Sequence, residues 1–159
     1  MTGVQTCALP ILVLTPHPKE FVALWNRLYG SEALALPIYK DEARLKPHFR
    51  ELDITTLQSN RLYYAREFCK HNPHITLMLK GANSIITQDK ECYVNPHGTA
   101  KLSIVGSGDV LSGLIGALLA QGYSTLNATI QASLALTTGA KQYRGSSYAM
   151  LPKIGRAHV

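Results

Sequence analysis

The sequence predicts an α/β fold, a sheet covered by helices. The 159 residues are 46% hydrophobic and 16% charged, proportions typical of a single soluble globular domain and not of a disordered or collagen-like chain. Short apolar runs of the kind found in strands alternate with longer segments of helical periodicity. Apolar runs such as 114–120 fall far short of the roughly 20 residues that span a membrane. We therefore expect a cytoplasmic protein with no membrane partner.

The first predicted unit is a strand followed by a helix. Leu12–Leu14 is a short apolar run, and it leads into a Pro-His-Pro loop. Pro18 suits the first turn of a helix, and apolar residues at helical spacing continue that helix to Gly30. Segment 31–53 has two prolines, mixed charge and no sustained period, which predicts a loop with one weak helical turn.

The middle of the chain predicts one helix and three strands. Thr55 or Thr56 is expected to cap a helix that ends before Asn72, and its apolar positions are Leu57, Leu62, Tyr64, Ala65 and Phe68. Short strands are predicted at 75–79, 84–87 and 92–94, with turns at 81–83 and 88–91.

Two helices complete the predicted domain. From Ser107 onward, apolar residues at helical spacing predict a buried helix that ends at Gly122. Ser124 is expected to cap another helix, which continues towards Tyr143. Because strands alternate with helices, ligands are expected beyond the carboxyl ends of the strands.

The net charge and the cysteine content limit the classes of partner and the cellular compartment that we expect. The formal net charge is +6, but the lysines and arginines are scattered, which favours an anionic small ligand over nucleic acid. Three cysteines without framework spacing predict free thiols in a reducing compartment. Cys69, His71 and His74 lack a fourth ligand at zinc spacing, so no protein-built metal site is predicted.

The strongest local motif opens the helix at Ser107. Gly106 and Gly108 flank Ser107, and glycines at a helix start let backbone N–H groups approach a phosphate. Asp109, in the first turn, is a candidate base towards a substrate hydroxyl. The alternative is an ordinary loop with an N-capping serine and a first-turn acid. The local pattern leaves both interpretations open.

Two more candidate sites follow strand ends. Lys80, Gly81, Ala82, Asn83 and Ser84 place a cation, a glycine turn and polar side chains directly after a strand, suited to phosphate or adenosine contacts. A hairpin turn with a solvated lysine explains the same residues, and taken alone is the more economical interpretation.

His17 is held between two prolines with restricted backbone angles. A rigid loop histidine is a good ligand candidate, and a plain turn is an equal alternative.

Four motifs in order resemble the ADP/ATP-dependent NAD(P)H-hydrate dehydratase family, which is ribokinase-like. They are LTPHPKEF at 14–21, LKGAN at 79–83, YVNP at 93–96 and GSGDVLSG at 106–113. The resemblance implies part of a three-layer ribokinase-like sandwich, the C-terminal half of the domain. It implies a repair lyase that removes water from hydrated NADH or NADPH, with ADP or ATP as co-substrate and Mg²⁺. Phosphorylation of a hydroxyl would make it a leaving group, which explains a kinase-type anion site beside an acid.

The resemblance also assigns roles by position. His17 and Asp109 would contact the hydrated dinucleotide, with Asp109 as catalytic base. The adenine nucleotide would contact residues 80–84 and the Gly106, Ser107 and Gly108 loop. A homo-oligomer is compatible with the sequence.

Two positions depart from the family pattern. Val105 stands where the family usually has glycine, and a branched side chain there would crowd a phosphate or be unable to adopt a glycine-only conformation. Lys19 also stands where the family usually has glycine, a milder change in the first helical turn.

The two ends of the sequence look foreign to the domain. Residues 1–11 and 154–159 can be back-translated so that the second DNA string is the reverse complement of part of the first, as in a sequencing adapter. We therefore assign 1–11 and 154–159 as adapter-derived and 12–153 as a partial dehydratase domain. Ala-Leu-Pro-Ile recurs at 8–11 and 35–38, either as a further scar or by coincidence. We expect this chain alone to lack turnover and to expose an unpaired strand edge.

Two other functions remain open. One is a ribokinase-like kinase for a vitamin precursor, in which Asp109 would deprotonate the acceptor alcohol. The other is an inactive remnant that binds nucleotide without turning it over.

Overall fold

The computed structural model describes residues 12–30 and 51–144 of the chain, and everything below refers to them. The elements in chain order are β1 Leu12–Leu14, α1 Pro18–Tyr29, α2 Ile54–Ser59, α3 Arg61–His71, β2 Ile75–Leu79, β3 Ser84–Gln88, β4 Glu91–Asn95, a 3₁₀ turn Ala100–Leu102, α4 Ser107–Ala120 and α5 Thr125–Gln142. The predicted loop 31–50, the repeat at 35–38 within it and both chain ends lie outside these residues.

The strands of the described part form one mixed sheet in the order β1-β2-β3-β4. β1 and β2 are parallel, with Val13 opposite Thr76. β3 runs antiparallel to β2 and to β4. The parallel pair brings the carboxyl ends of β1 and β2 to the same edge of the sheet, where the Lys80 N–H donates to the Pro16 carbonyl at 2.9 Å.

Helices cover both faces of this sheet. On one face, α1, α2 and α3 bury aromatic and aliphatic side chains against Leu77, Leu79 and Ile85. On the other face, α4 and α5 pack against Met78 and Ile86. Neighbouring strand residues alternate between the two cores, as the pleat of a strand requires. The predicted layering of helix, sheet and helix is therefore present in the described residues.

The strands and the first helix match their predictions closely. β1 and β2 have the predicted bounds, and α1 starts at Pro18 and ends just before Gly30. β3 is one residue longer than predicted, and β4 is extended by one residue at each end.

The helix predicted across 55–71 is wrong in two respects. Asp53 is the N-cap, because its carboxylate accepts the Thr56 backbone N–H at 2.9 Å and the Thr56 hydroxyl at 2.6 Å. Asn60, with φ −137° and ψ 36°, then breaks the segment into α2 and α3. The break turns Leu62 outward, so its side chain is 45% exposed and is not a core position.

The prediction that α4 is buried is also wrong. Only Leu111 and Ile115 of this helix are buried, and they join Met78 and Ile86 of the sheet in one core, while the rest of the packing of α4 is mainly against α5. In α5, Ser124 is the predicted N-cap and accepts the Asn127 N–H at 3.3 Å. No helix in the described ranges has both the length and the apolar character needed to cross a membrane.

Candidate functional site

His17 and Glu20 form a capping box at the carboxyl end of β1. His17 Nδ1 accepts the Glu20 N–H at 3.1 Å, and a Glu20 carboxylate oxygen accepts the His17 N–H at 2.7 Å. Their side chains are also 3.3 Å apart at His17 Nε2. His17 is therefore held rigidly, as the flanking prolines predicted, and part of its hydrogen-bonding capacity is used by the helix.

Lys80, at the end of β2, faces the start of both α1 and α4. Its Nζ lies 3.8 Å from a Glu20 carboxylate oxygen. A Cβ built on Gly108 would lie 3.8 Å from the same Nζ, so the ammonium approaches the first turn of α4 closely. Sequence reasoning did not select Glu20; its only local signal is the spacing of three residues from His17, and histidine is an unusual N-cap.

The glycine-rich start of α4 differs from the capped turn considered as an alternative. Gly106 is the N-cap with φ 90° and ψ −10°, a left-handed conformation that favours glycine. Ser107 does not cap the helix, because its hydroxyl donates to the Leu102 carbonyl at 2.8 Å. No side chain therefore caps the start of α4, and its first backbone N–H groups remain available to an anion, as a site of this kind requires.

One cavity of about 740 Å³ lies between the β2–β3 turn and the start of α4. Its polar wall includes most of the predicted nucleotide residues: Lys80, Gly81, Ala82, Ser84, Ser107 and Gly108. Met78, Leu111 and Leu136 form an apolar side. Asn83 is exposed and, like Gly106, is not part of the lining. His17 reaches this cavity from β1.

A second cavity of about 440 Å³ also borders Lys80. It is lined by Leu14, Thr15, Pro16, Glu20, Leu24, Lys80, Gly108, Asp109 and Ser112. Asp109 therefore faces a different cavity from most of the predicted nucleotide residues. Lys80 and Gly108 line both cavities and so form a wall that the two share.

The loop after β4 closes the first cavity against the β2–β3 turn. A Cβ at position 98 would overlap the Ala82 carbonyl oxygen, so only glycine allows the two backbones to approach this closely. Asn95 is buried and donates to Ser133 at 2.8 Å, while its oxygen accepts the His97 N–H at 3.0 Å. Sequence reasoning included Asn95 in a motif but gave it no role, because its partner lies 38 residues away.

Val105 does not have the glycine-only conformation that its departure from the family pattern suggested. Among the non-glycine residues described, only Asp89 has a positive φ. The Val105 side chain is 96% exposed and lies at the rim of the first cavity. Its backbone is therefore unstrained, and its effect on a ligand is confined to that rim.

The cysteine and histidines near 70 do not converge. Cys69 is buried in the core, and its thiol donates to the carbonyls of Ile75 and Thr87. Within the described part of the chain, no three His, Cys, Asp or Glu side chains are placed to hold a metal ion together.

Residues 9–154 match a family model described as NAD(P)H-hydrate dehydratase. A bifunctional NAD(P)H-hydrate repair enzyme of Helicobacter pylori is 36% identical over 141 residues, covering 89% of this chain and 26% of that protein. An ADP-dependent (S)-NAD(P)H-hydrate dehydratase of Neisseria meningitidis is 50% identical over 118 residues, covering 74% and 31%.

Among solved structures, the ADP/ATP-dependent NAD(P)H-hydrate dehydratase of Bacillus subtilis, co-crystallised with ATP and Mg²⁺, aligns with a TM-score of 0.64. The identity is 24%, over 87% of this chain and 43% of that one, so the likeness concerns the fold. It confirms the predicted ribokinase-like α/β architecture. The chain spans about a quarter to a third of these two curated relatives and under half of the solved protein.

Proposed function

Because this chain belongs to the NAD(P)H-hydrate dehydratase family, we propose that it carries the adenine-nucleotide site and part of the substrate site of an enzyme that repairs hydrated NADH and NADPH. The observation that carries the proposal is the wall that the two cavities share. It is made by the ammonium of Lys80 and by Gly108 at the start of α4. Such a wall suits the transfer of a phosphoryl group from one ligand to another.

The nucleotide is assigned to the larger cavity. Residues 80–82 and Ser84 line one side of it, and Ser107 and Gly108 line the other. Phosphates would lie at the start of α4, where N–H groups, the positive end of the helix dipole and Lys80 attract anions. Met78, Leu111 and Leu136 supply an apolar surface suited to a base. Asn83 and Gly106 do not line this cavity, and Gly106 acts through the left-handed backbone that starts α4.

The hydrated dinucleotide is assigned to the smaller cavity, which Asp109 lines. His17, the other predicted contact of the dinucleotide, lines the larger cavity. Asp109 would take the proton from the substrate hydroxyl as the hydroxyl oxygen attacks the terminal phosphorus of the nucleotide. The bond from that phosphorus to the bridging oxygen breaks, and AMP leaves from ADP or ADP leaves from ATP. The carbon–oxygen bond then breaks, phosphate leaves with that oxygen, and loss of a proton from the neighbouring carbon restores the double bond. Lys80 would balance the charge that develops on the transferred group.

Magnesium fits this arrangement as a companion of the nucleotide. Glu20 lines the smaller cavity beside the proposed base Asp109, and Mg²⁺ in such sites is commonly held by one or two carboxylates together with substrate phosphates and waters. Bound there, the ion would neutralise phosphate charge. Substrate phosphates and waters would complete its coordination, because within the described ranges no three acidic, histidine or cysteine side chains are placed to hold a metal ion together.

Nucleotide binding is the first test. Titration of the purified chain with ADP and with ATP in a calorimeter should give saturable binding, and Lys80→Met should weaken it by about tenfold or more through loss of a charged donor. Lys90→Met removes the same charge from the exposed β3–β4 turn and should leave affinity within about twofold. Equal losses in both variants would contradict the assignment of Lys80.

Restoration of reduced nicotinamide absorbance from hydrated NADH, in the presence of ADP and Mg²⁺, tests the reaction. In the full-length dehydratase, Asp109→Asn should lower turnover by roughly 10²–10⁴-fold with ADP affinity retained. Undiminished turnover would remove Asp109 from the role of base. The same assay on this chain alone tests the expectation that it lacks turnover and the alternative of a nucleotide-binding remnant.

A further inference from the structure

Arg61, the first residue of α3, contacts the end of β2 beside residues 80–84, the proposed nucleotide-binding turn. Its Nη2 donates to the Leu79 carbonyl at 3.1 Å and to the Lys80 carbonyl at 3.0 Å. One guanidinium nitrogen therefore holds two consecutive peptide groups, at the point where the backbone leaves the sheet and enters the first cavity.

Gly81 is shaped to fit this guanidinium. A Cβ built on Gly81 would lie 2.5 Å from Arg61 Nη2 and 2.8 Å from both Cζ and Nη1. The absence of a side chain at position 81 thus leaves room for Arg61 on one side, while Gly81 lines the first cavity on the other. Arg61 and Gly81 form one unit, in which the arginine supports the turn from below.

The charge of Arg61 has no carboxylate partner in the described ranges. Its hydrogen-bond acceptors there are the two carbonyls, and its Nε is buried without a partner. Burial lowers the pKa of the guanidinium below its ordinary value, although arginine remains protonated. Partial burial of the charged guanidinium costs free energy. If Arg61 only had to anchor the two carbonyls, a neutral hydrogen-bond donor would do so at a lower cost.

We propose that Arg61 is a positioning residue for the nucleotide-binding turn, acting through the Leu79 and Lys80 carbonyls and through its fit beneath Gly81. By holding these peptide groups, it directs Lys80 towards the start of α4 and presents the Gly81 backbone to the cavity. The inference rests on the proposed function, because it requires that residues 80–84 bind the nucleotide. Arg61 would fix the geometry of these residues without touching the nucleotide.

Nucleotide affinity and stability measured on the same variants distinguish positioning from simple support. In the full chain, Arg61→Met should weaken ADP binding by about tenfold or more, measured by calorimetry at a temperature where circular dichroism shows the variant folded. Arg61→Lys keeps a charged donor and should recover part of the affinity. Arg66→Met, on an exposed position of the same helix, is the matched control and should leave ADP affinity within about twofold.

A double-mutant cycle with Gly81→Ala provides the readout that a purely structural role would not move. Gly81→Ala alone should weaken ADP binding, because its Cβ would displace the guanidinium from the two carbonyls. In the presence of Arg61→Met the same change should cost much less, since the flexible methionine side chain can move away. Any direct clash between ADP and the methyl group added at position 81 is common to both arms and cancels.

The outcomes separate the two claims. Absence of ADP binding by the unsubstituted chain overturns the proposed function for this chain, and the positioning role with it. Binding that is unchanged by Arg61→Met, or additive losses in the cycle, overturns the positioning role alone. If Arg61→Met does not fold, Arg61→Lys decides: affinity equal to that of the unsubstituted chain overturns the proposal, and a loss without a fall in unfolding temperature supports it.

Discussion

The thiol of Cys69 illustrates how completely a single residue is committed to the core. It is fully buried and donates to the Thr87 carbonyl at 3.3 Å and to the Ile75 carbonyl at 3.6 Å, joining α3 to the sheet. Burial, with smaller opposing contributions from hydrogen bonds, raises its pKa from 9.0 to about 11. A neutral thiol is therefore part of the folded state, and this residue is a poor nucleophile.

This pKa shift predicts a loss of stability in alkaline solution. The folded pKa lies above the unfolded value, so the contribution is complete below pH 9.0 and is lost as pH rises towards 11. Urea unfolding of the unsubstituted chain and of Cys69→Ala, compared just below and well above this interval, should show their difference in unfolding free energy shrinking by roughly 3 kcal/mol. A difference that stays constant with pH would contradict the linkage.

Residues also differ in how far the sequence could reveal them. His17, Lys80, Gly108 and Asp109 could be selected because each stands beside a proline, a glycine or a strand end. Arg61 could not, because both of its acceptors lie 18 or 19 residues further along the chain and no local pattern marks it.

Among the elements, α4 depends most visibly on one backbone conformation. Gly106 stands at φ 90°, where a side chain is strained, and it sets the direction in which the first turn of the helix points. Gly113 lies inside the same helix, and a Cβ there would meet nothing within 4 Å. The same substitution at these two positions should therefore have opposite effects.

Gly106→Ala should destabilise the chain by about 1–2 kcal/mol through the left-handed conformation and should weaken ADP binding as the helix start shifts. Gly113→Ala should stabilise it by about 0.5–1 kcal/mol through better helix propensity and leave ADP binding unchanged. Urea unfolding and calorimetry measure both. Equal effects of the two substitutions would show that the start of α4 is not conformationally special.

Element boundaries were predictable where proline or glycine marks them and wrong where a cap lies outside the apolar pattern. Pro18 and Gly30 bracket α1 as expected. The pair α2 and α3 was predicted as one helix, because the apolar periodicity runs through Asn60 without interruption. Ser107 was considered as a cap on residue type alone, whereas its hydroxyl reaches Leu102 and leaves the cap to Gly106.

At the scale of the whole molecule, the edges of the sheet differ in character. β4 carries an exposed Glu91 at its start, and charged residues discourage pairing between sheets. β1 is short, pairs on its described side with β2, and begins with Leu12, which is 41% exposed. Among the strands of the described residues, β1 is therefore where the expected unpaired edge would be most exposed.

Leu12→Lys should reduce self-association of the chain, because a charge on an edge strand opposes edge-to-edge pairing. Sedimentation velocity over a range of concentrations measures the effect. Leu62→Lys alters a leucine of similar exposure on α3, 45% against 41%, and should leave association unchanged. If Leu62→Lys dissociates the chain equally well, general charge repulsion and not the β1 edge is responsible.

The shared wall of the two cavities has a thermodynamic consequence. In the proposed assignment, the ammonium of Lys80 would be a counter-charge to the ligands of both cavities, because Lys80 lines both. Ligands in the two cavities would then not bind with independent free energies. The factor by which one ligand changes the affinity for the other equals the factor by which the second changes the affinity for the first, because the linkage between two equilibria is reciprocal. A phosphate bound to Lys80 in one cavity would then change the affinity of the other cavity for its ligand.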